Sequence, residues 1–134
     1  MDTVLINEND EEQLLKAAEL IKNGEIVGMP TETVYGLAAD ACNETAVAKI
    51  FKAKGRPSDN PLIVHLSRFS DAEKYTGNIP ALAYKIAENF CPGPITMILP
   101  KNDKIPYITS GGLDTVGTVS YTHLRAHETL MNLV

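Results

Sequence analysis

Cysteine is scarce in this chain: Cys42 and Cys91 are the only two. They lack the spacing of a metal-binding pair, and no signal peptide is read at the N-terminus. A reduced, cytosolic protein is therefore expected, with each thiol a small buried apolar residue rather than a nucleophile. No apolar run approaches the length of a membrane-spanning helix, so no membrane partner is expected. There is no internal repeat and no low-complexity segment. Bases are outnumbered by acids, 12 to 17, for a net charge of −5, which argues against a surface wholly devoted to nucleic acid. Neither a G-x-x-x-x-G-K-[ST] loop nor a G-x-G-x-x-G turn occurs. If a nucleotide binds, side chains must hold its phosphates.

What is present suffices for one domain with a real core: 134 residues, 44% of them hydrophobic. Asn9 or Asp10 caps a first helix whose buried face is Leu14, Leu15, Ala18 and Ile21, and Gly24 ends it. Residues 25–29 read as a short strand. Pro30-Thr31-Glu32-Thr33-Val34-Tyr35-Gly36-Leu37 is too polar for a buried strand. It reads either as a capped turn, with Thr31 and Thr33 bonding local backbone, or as a ligand-lining loop. Asn43 caps a second helix with an apolar stripe at Val47, Ile50 and Phe51. Further on, Leu62–Leu66 reads as a strand, and Ser67 or Ser70 as the cap of a short helix. A helix follows from Ile79-Pro80 to Phe90, with strands over 95–99, 105–109 and 113–119. Strands alternate with helices through short connections. The expected fold class is α/β: a twisted mixed β-sheet with packed helices.

The most informative stretch is Lys54-Gly55-Arg56-Pro57-Ser58-Asp59-Asn60-Pro61, followed by the apolar run to Val64 and then His65. Gly55 suits the left-handed close of a helix, and the two prolines stiffen the loop. Lys54 continues the apolar stripe of the second helix. It is either a solvated basic helix end or an ammonium aimed into a pocket. Arg56, two residues on, favours a phosphate or carboxylate clamp. Lys49, Lys52, Lys54 and Arg56 occur between Thr45 and Ser58 with no acid among them. Such a patch on an acidic protein fits a small anionic ligand or a short RNA contact.

Pro30-Thr-Glu-Thr-Val-Tyr-Gly-Leu37, Lys54-x-Arg56-x-x-x-Asn60-Pro-Leu62 with His65, and Cys91-Pro-Gly-Pro94-x-Thr96 occur together in one order and spacing. In this the chain resembles the YrdC-like family, the L-threonylcarbamoyladenylate synthases, over roughly residues 10–117. The resemblance implies a sheet around a concave pocket. It also implies a reaction that joins L-threonine, bicarbonate and ATP into threonylcarbamoyl-AMP and pyrophosphate. ATP is then a substrate, magnesium accompanies it, and tRNA and downstream threonylcarbamoyl-transferase proteins are further partners. By position, Thr33 and His65 match residues that hold threonine, with Tyr35 at the pocket wall. Arg56 and Asn60 match ATP-binding positions, and Lys54 completes the cationic pair. Thr115 and Gly117 approach the segment that continues the nucleotide site. No protein metal site is implied. An RNA-binding module and a carbamoyl-handling domain of a hydrogenase-maturation protein are the rival readings.

The family pattern after Thr115-Val116-Gly117 calls for an arginine where this chain has Val119. The expectation is a partial domain over residues 1–117, incomplete at the C-terminus, and a non-family tail over 118–134. In that tail His123 and His127 fall at i, i+4, a spacing that alone does not make a metal site. On this reading the chain as written makes threonylcarbamoyl-AMP weakly or not at all, whereas replacing residues 118–134 with a family-like continuation restores both activity and a cooperative melt. A rate equal to that of a longer family member would overturn it.

Overall fold

The computed structural model describes residues 3–7, 9–30 and 34–120. The chain begins with helix α1 (Glu11–Lys22). Of the two candidate caps, Asp10 is the one used: its carboxylate accepts from the backbone N–H groups of Glu12 and Gln13. Gln13 returns a side-chain bond to Asp10 at 2.8 Å. Strands β1 (Val27–Pro30) and β2 (Tyr35–Ala38) pair antiparallel, with Val27 opposite Ala38 and Met29 opposite Gly36. Part of the stretch expected to be loop is thus a strand. Its polar residues lie before Tyr35, and pairing with β1 satisfies the remainder.

Helix α2 (Glu44–Lys54) starts at Asn43, whose side chain accepts from Ala46 N–H at 3.1 Å. It closes at Gly55, where φ is +60°. Ala46, Val47, Ile50 and Phe51 are buried along its inner face. The 3-10 helix Phe69–Lys74 follows β3 (Ile63–Leu66) without a serine cap, because Ser67 turns its hydroxyl to Asp71 instead, at 3.1 Å. Helix α3 (Ala81–Phe90) begins after Pro80 as expected and buries Ala83 and Ala87. Phe90, placed on its apolar face from the sequence, is 62% exposed.

The main sheet has the order β3-β5-β4, with β4 spanning Gly93–Pro100 and β5 spanning Thr115–Ser120. Strand β5 is central, parallel to β3 and antiparallel to β4, so the sheet is mixed. The strand expected over 105–109 is absent. Ile105 and Thr109 are fully buried while Tyr107 is exposed, so the burial repeats every four residues, not every two. The segment folds as a series of turns tied by Thr109 N–H to Pro106 O at 3.0 Å and Gly112 N–H to Tyr107 O at 2.8 Å.

Two packing layers result. Val64, Leu66, Met97, Leu99 and Val116 face Ala72, Ala83, Ala87 and Ile105 on one side of the main sheet. Separately, Ala39, Ala46 and Ile50 form a cluster joined by Ile26 and Leu37, which seats α2 on the small sheet. Each fully buried aliphatic side chain contributes about 1.5–3 kcal/mol. Alanine recurs at these contacts, which brings helix and strand backbones close. Among the described residues, no helix is long and apolar enough to cross a membrane.

One buried charge anchors the 3-10 helix against the main sheet. Asp71 is 3% exposed. It accepts from Ser67 Oγ at 3.1 Å and Lys74 Nζ at 2.8 Å, with Arg68 Nε at 3.4 Å. Burial pushes its carboxyl up. The Lys74 and Ser67 hydrogen bonds and the charges of Lys74 and Arg68 together outweigh that and hold it below the ordinary value. A depressed carboxyl stabilises the fold above the unfolded-state pKa of about 3.9, and that contribution disappears as pH falls through the lower folded value. Asp71→Asn is accordingly expected to cost about 1–2 kcal/mol at pH 7, discounted for the half-exposed cations. In urea melts the gap between the two proteins should stay constant down to about pH 5 and shrink below about pH 4. A gap that widens in acid would contradict this account of Asp71.

Candidate functional site

A cleft of about 330 Å³ opens between the β1–β2 hairpin and β3. Met29, Gly36 and Leu37 form one wall, Pro61, Leu62, Ile63 and His65 the other, and Ile50 of α2 the apolar floor. Lys54 and Arg56 complete the lining. The local sequence explains their arrival there. Lys54 is the last residue of α2, one turn beyond the buried Ile50 and Phe51. Gly55 then turns left-handed, and Arg56 N–H donates back to Phe51 O at 3.1 Å. Both cations are therefore fixed at the backbone by the closing turn of the helix.

Electrostatically the cleft is one-sided. None of its described lining residues is an acid. Lys49, part of the same basic run, is consumed structurally by Glu25 at 3.0 Å and Gly24 O at 2.8 Å. Among the described residues, neither Lys54 nor Arg56 has an ion-pair partner. Two cations on stiff backbone that meet no acid among the described residues, beside a half-buried histidine, are chemically suited to an anion.

The other sequence-derived positions are not among the residues that line this cleft. Gly117 lies on β5 opposite Ile63 of β3 and Ile98 of β4, and Val119 lies opposite His65. Thr115 is exposed at the start of β5, opposite Pro100. Paired residues share a sheet face, so Thr115, Gly117, Ile63 and His65 all belong to the face turned away from α3. A side chain at Gly117 would bring its Cβ to 3.3 Å from Thr96 Cγ2 and 3.7 Å from Ile63 Cγ1. Glycine keeps that face low. Asn60 is exposed on the loop before β3 and is not part of the cleft lining. Tyr35 is 82% exposed on β2 and likewise outside the lining. Thr33, His123 and His127 lie outside the described residues. Sequence reasoning missed Met29, Ile50 and Leu62 as lining of the cleft. Their apolarity marked them as core, and only the pairing of separate elements turns them toward a cleft.

A family model for Sua5, YciO and YrdC, described as "Telomere recombination", matches residues 19–133. The chain belongs to the Sua5/YciO/YrdC family. A Pyrococcus abyssi protein named threonylcarbamoyl-AMP synthase is 46% identical over 135 residues, covering 98% of this chain and 38% of that protein. The Bacillus subtilis protein of the same name is 50% identical over 105 residues, covering 78% of this chain and 30% of its own length. The crystal structure of P. abyssi Sua5 complexed with L-threonine matches with a TM-score of 0.90 at 41% identity, over 98% of this chain and 41% of that one. The chain spans less than half the length of these Sua5/YciO/YrdC relatives.

Two further groups bear on the chemistry available. With no carboxylate among the described lining residues, the cleft does not itself fit a bare magnesium ion, which needs oxygen ligands. The thiols are unsuited to nucleophilic work. Burial, and next the charge of Asp40, push the Cys42 thiol up to about 11, against a smaller opposing effect of Lys104. Burial also raises Cys91. At pH 8 both are thiols rather than thiolates. Iodoacetamide at pH 8 should therefore modify the native protein far more slowly than the urea-unfolded chain, with Cys42 turning reactive only as pH approaches 11. Rapid native labelling of Cys42 near pH 7 would contradict this.

Proposed function

We propose that this chain carries the nucleotide- and threonine-binding part of an L-threonylcarbamoyladenylate synthase, which joins L-threonine, bicarbonate and ATP into threonylcarbamoyl-AMP and pyrophosphate for the modification of tRNA adenosine. The carrying observation is that Lys54, Arg56 and His65 line one cleft, the two cations without acidic partners among the described residues. Family membership and the P. abyssi structure with L-threonine support the same reading.

In the proposed reaction a carbamate oxygen of N-carboxylated threonine attacks the α-phosphorus of ATP. The bond to the bridging oxygen breaks, and pyrophosphate leaves with its electrons. Two anions must approach each other, which is unfavourable in any low-dielectric cleft. Lys54 and Arg56 offset that repulsion and take up charge developing on the departing phosphates. His65, with Thr33 as its partner by motif position, orients the amino acid, a positioning contribution without a covalent intermediate. Asn60, Thr115 and Gly117 are proposed to extend the nucleotide contact along the loop and the open sheet face, and Tyr35 to border the threonine end. Magnesium is proposed to arrive on the ATP phosphates.

The exposed run Lys52, Lys54 and Arg56 keeps a second reading in view, an RNA-binding module. Calorimetry of the chain and of Arg56→Ala with ATP, L-threonine and a short RNA at matched salt separates the two. The synthase reading expects Arg56→Ala to weaken ATP binding on the order of tenfold or more, through loss of one charge-assisted contact. Threonine affinity should hold, and so should the melt, since Arg56 is on a loop. Undiminished ATP affinity in the variant sinks the assigned role. A loss confined to RNA favours the module.

A further inference from the structure

We propose that Gly111 is a positioning residue for the phosphate-binding loop: its missing side chain lets the 109–112 turn press on the backbone of Asp59 and Pro61 and so sets where Arg56 meets its ligand. This rests on the assignment of Arg56 to ATP above. Gly111 has φ of +63°, and a Cβ built there would lie 2.8 Å from Asp59 O, 2.8 Å from Pro61 N and 3.1 Å from Pro61 Cα. All three are backbone atoms, so the obstruction cannot be relieved by a side chain swinging aside. The neighbouring Gly112, with φ of +82°, has nothing within 4 Å of such a Cβ. Two adjacent glycines share the same left-handed requirement, and one of them alone touches the loop.

The turn behind that contact does not yield. Thr109 and Ser110 are fully buried. Thr109 donates its hydroxyl to Ala41 O at 2.8 Å and accepts Leu62 N–H at 2.9 Å on its carbonyl. The loop, in turn, is held at both ends, by Arg56 N–H on Phe51 O and by Leu62 N–H on Thr109 O. Pro57 and Pro61 restrict the backbone between those anchors. A loop fixed at its ends, stiff between them and pressed near its middle has one available position. Adding a methyl group at Gly111 moves the loop, because the buried turn stays.

The experiment compares Gly111→Ala with Gly112→Ala in the 134-residue chain. Both variants incur left-handed strain and both should melt lower. Gly111→Ala alone should bind ATP on the order of tenfold or more weaker and exchange the Leu62 amide proton faster. Gly112→Ala should keep the wild-type values of both. Equal losses of ATP affinity in the two variants would overturn the proposal, as would undiminished affinity in Gly111→Ala. Should Gly111→Ala fail to fold, contacts between the Gly111 α-protons and Pro61 in the NMR spectrum of the unaltered chain decide the point, and their absence overturns it. If the unaltered chain binds no ATP, the synthase reading falls by itself. Leu62 exchange in the two variants then decides the bracing alone.

Discussion

Thr109 joins three segments that lie far apart in the chain. Its hydroxyl reaches Ala41, 68 residues upstream, and its carbonyl takes the Leu62 amide at the entrance to β3. The residue is fully buried, so neither bond is exchanged with water. Removing the hydroxyl would leave a buried carbonyl unsatisfied, a penalty of about 1–3 kcal/mol, larger than the net worth of an average hydrogen bond. The two partners sit on opposite sides of the cleft's foundations. Ala41 lies between the small sheet and α2, which delivers Lys54, while Leu62 opens the strand that delivers His65. A cleft assembled from separate elements needs such a tie, because no single element holds both walls.

The main sheet shows why the site lies on one of its faces. Strand β5 is central, and its Val116, Thr118 and Ser120 are buried at 3% exposure or less. That face carries α3 and the 3-10 helix. On the other face, at the rung Ile63–Gly117–Ile98, Ile63 is 44% and Ile98 73% exposed. A sheet with one covered and one open face is ordinary for antiparallel pairs but less so for a parallel pair such as β3–β5. Here the open face borders the cationic cleft, so the apolar row beside His65 offers a surface on which a flat ligand group can rest.

Local chemistry was readable from the residues alone. Asp10 and Asn43 cap their helices through their own side chains, and Gly55 ends α2 through its own backbone freedom. Such signals depend on neighbours within about four residues. Lys54 and Arg56 drew attention for the same reason, since one helix end and one stiff loop place both; His65 was marked only by the family resemblance, because a histidine at a strand end carries no local signal of its own. What escaped depended on distant partners. Tyr35–Ala38 became a strand because β1 was there to pair with it. Residues 105–109 looked like a strand, yet Pro106 has no N–H for a ladder. Gly111 carried no signal of its role, because the contact that requires its small size is with a loop some fifty residues away.

The chain carries −5 overall, yet its cleft presents Lys54, Arg56 and no acid among the described lining residues. Ammonium and guanidinium groups that meet no carboxylate retain full attraction for an incoming anion. Had they been paired in the free protein, binding would first have to break those pairs. The structure instead satisfies Lys49 internally through Glu25 and Gly24, and among the described residues Lys54 and Arg56 at the cleft meet no acid. Their mutual repulsion is tolerable because both are exposed to water, where screening is strong. On the proposed reading, a phosphate chain that entered and displaced that water would meet the same two charges in a lower dielectric, where their attraction is stronger. Backbone anchoring of Arg56 by Phe51, and pressure on the loop from Gly111, then matter because attraction alone does not orient. An electrostatic clamp accelerates a displacement reaction only when the geometry is set before the ligand arrives.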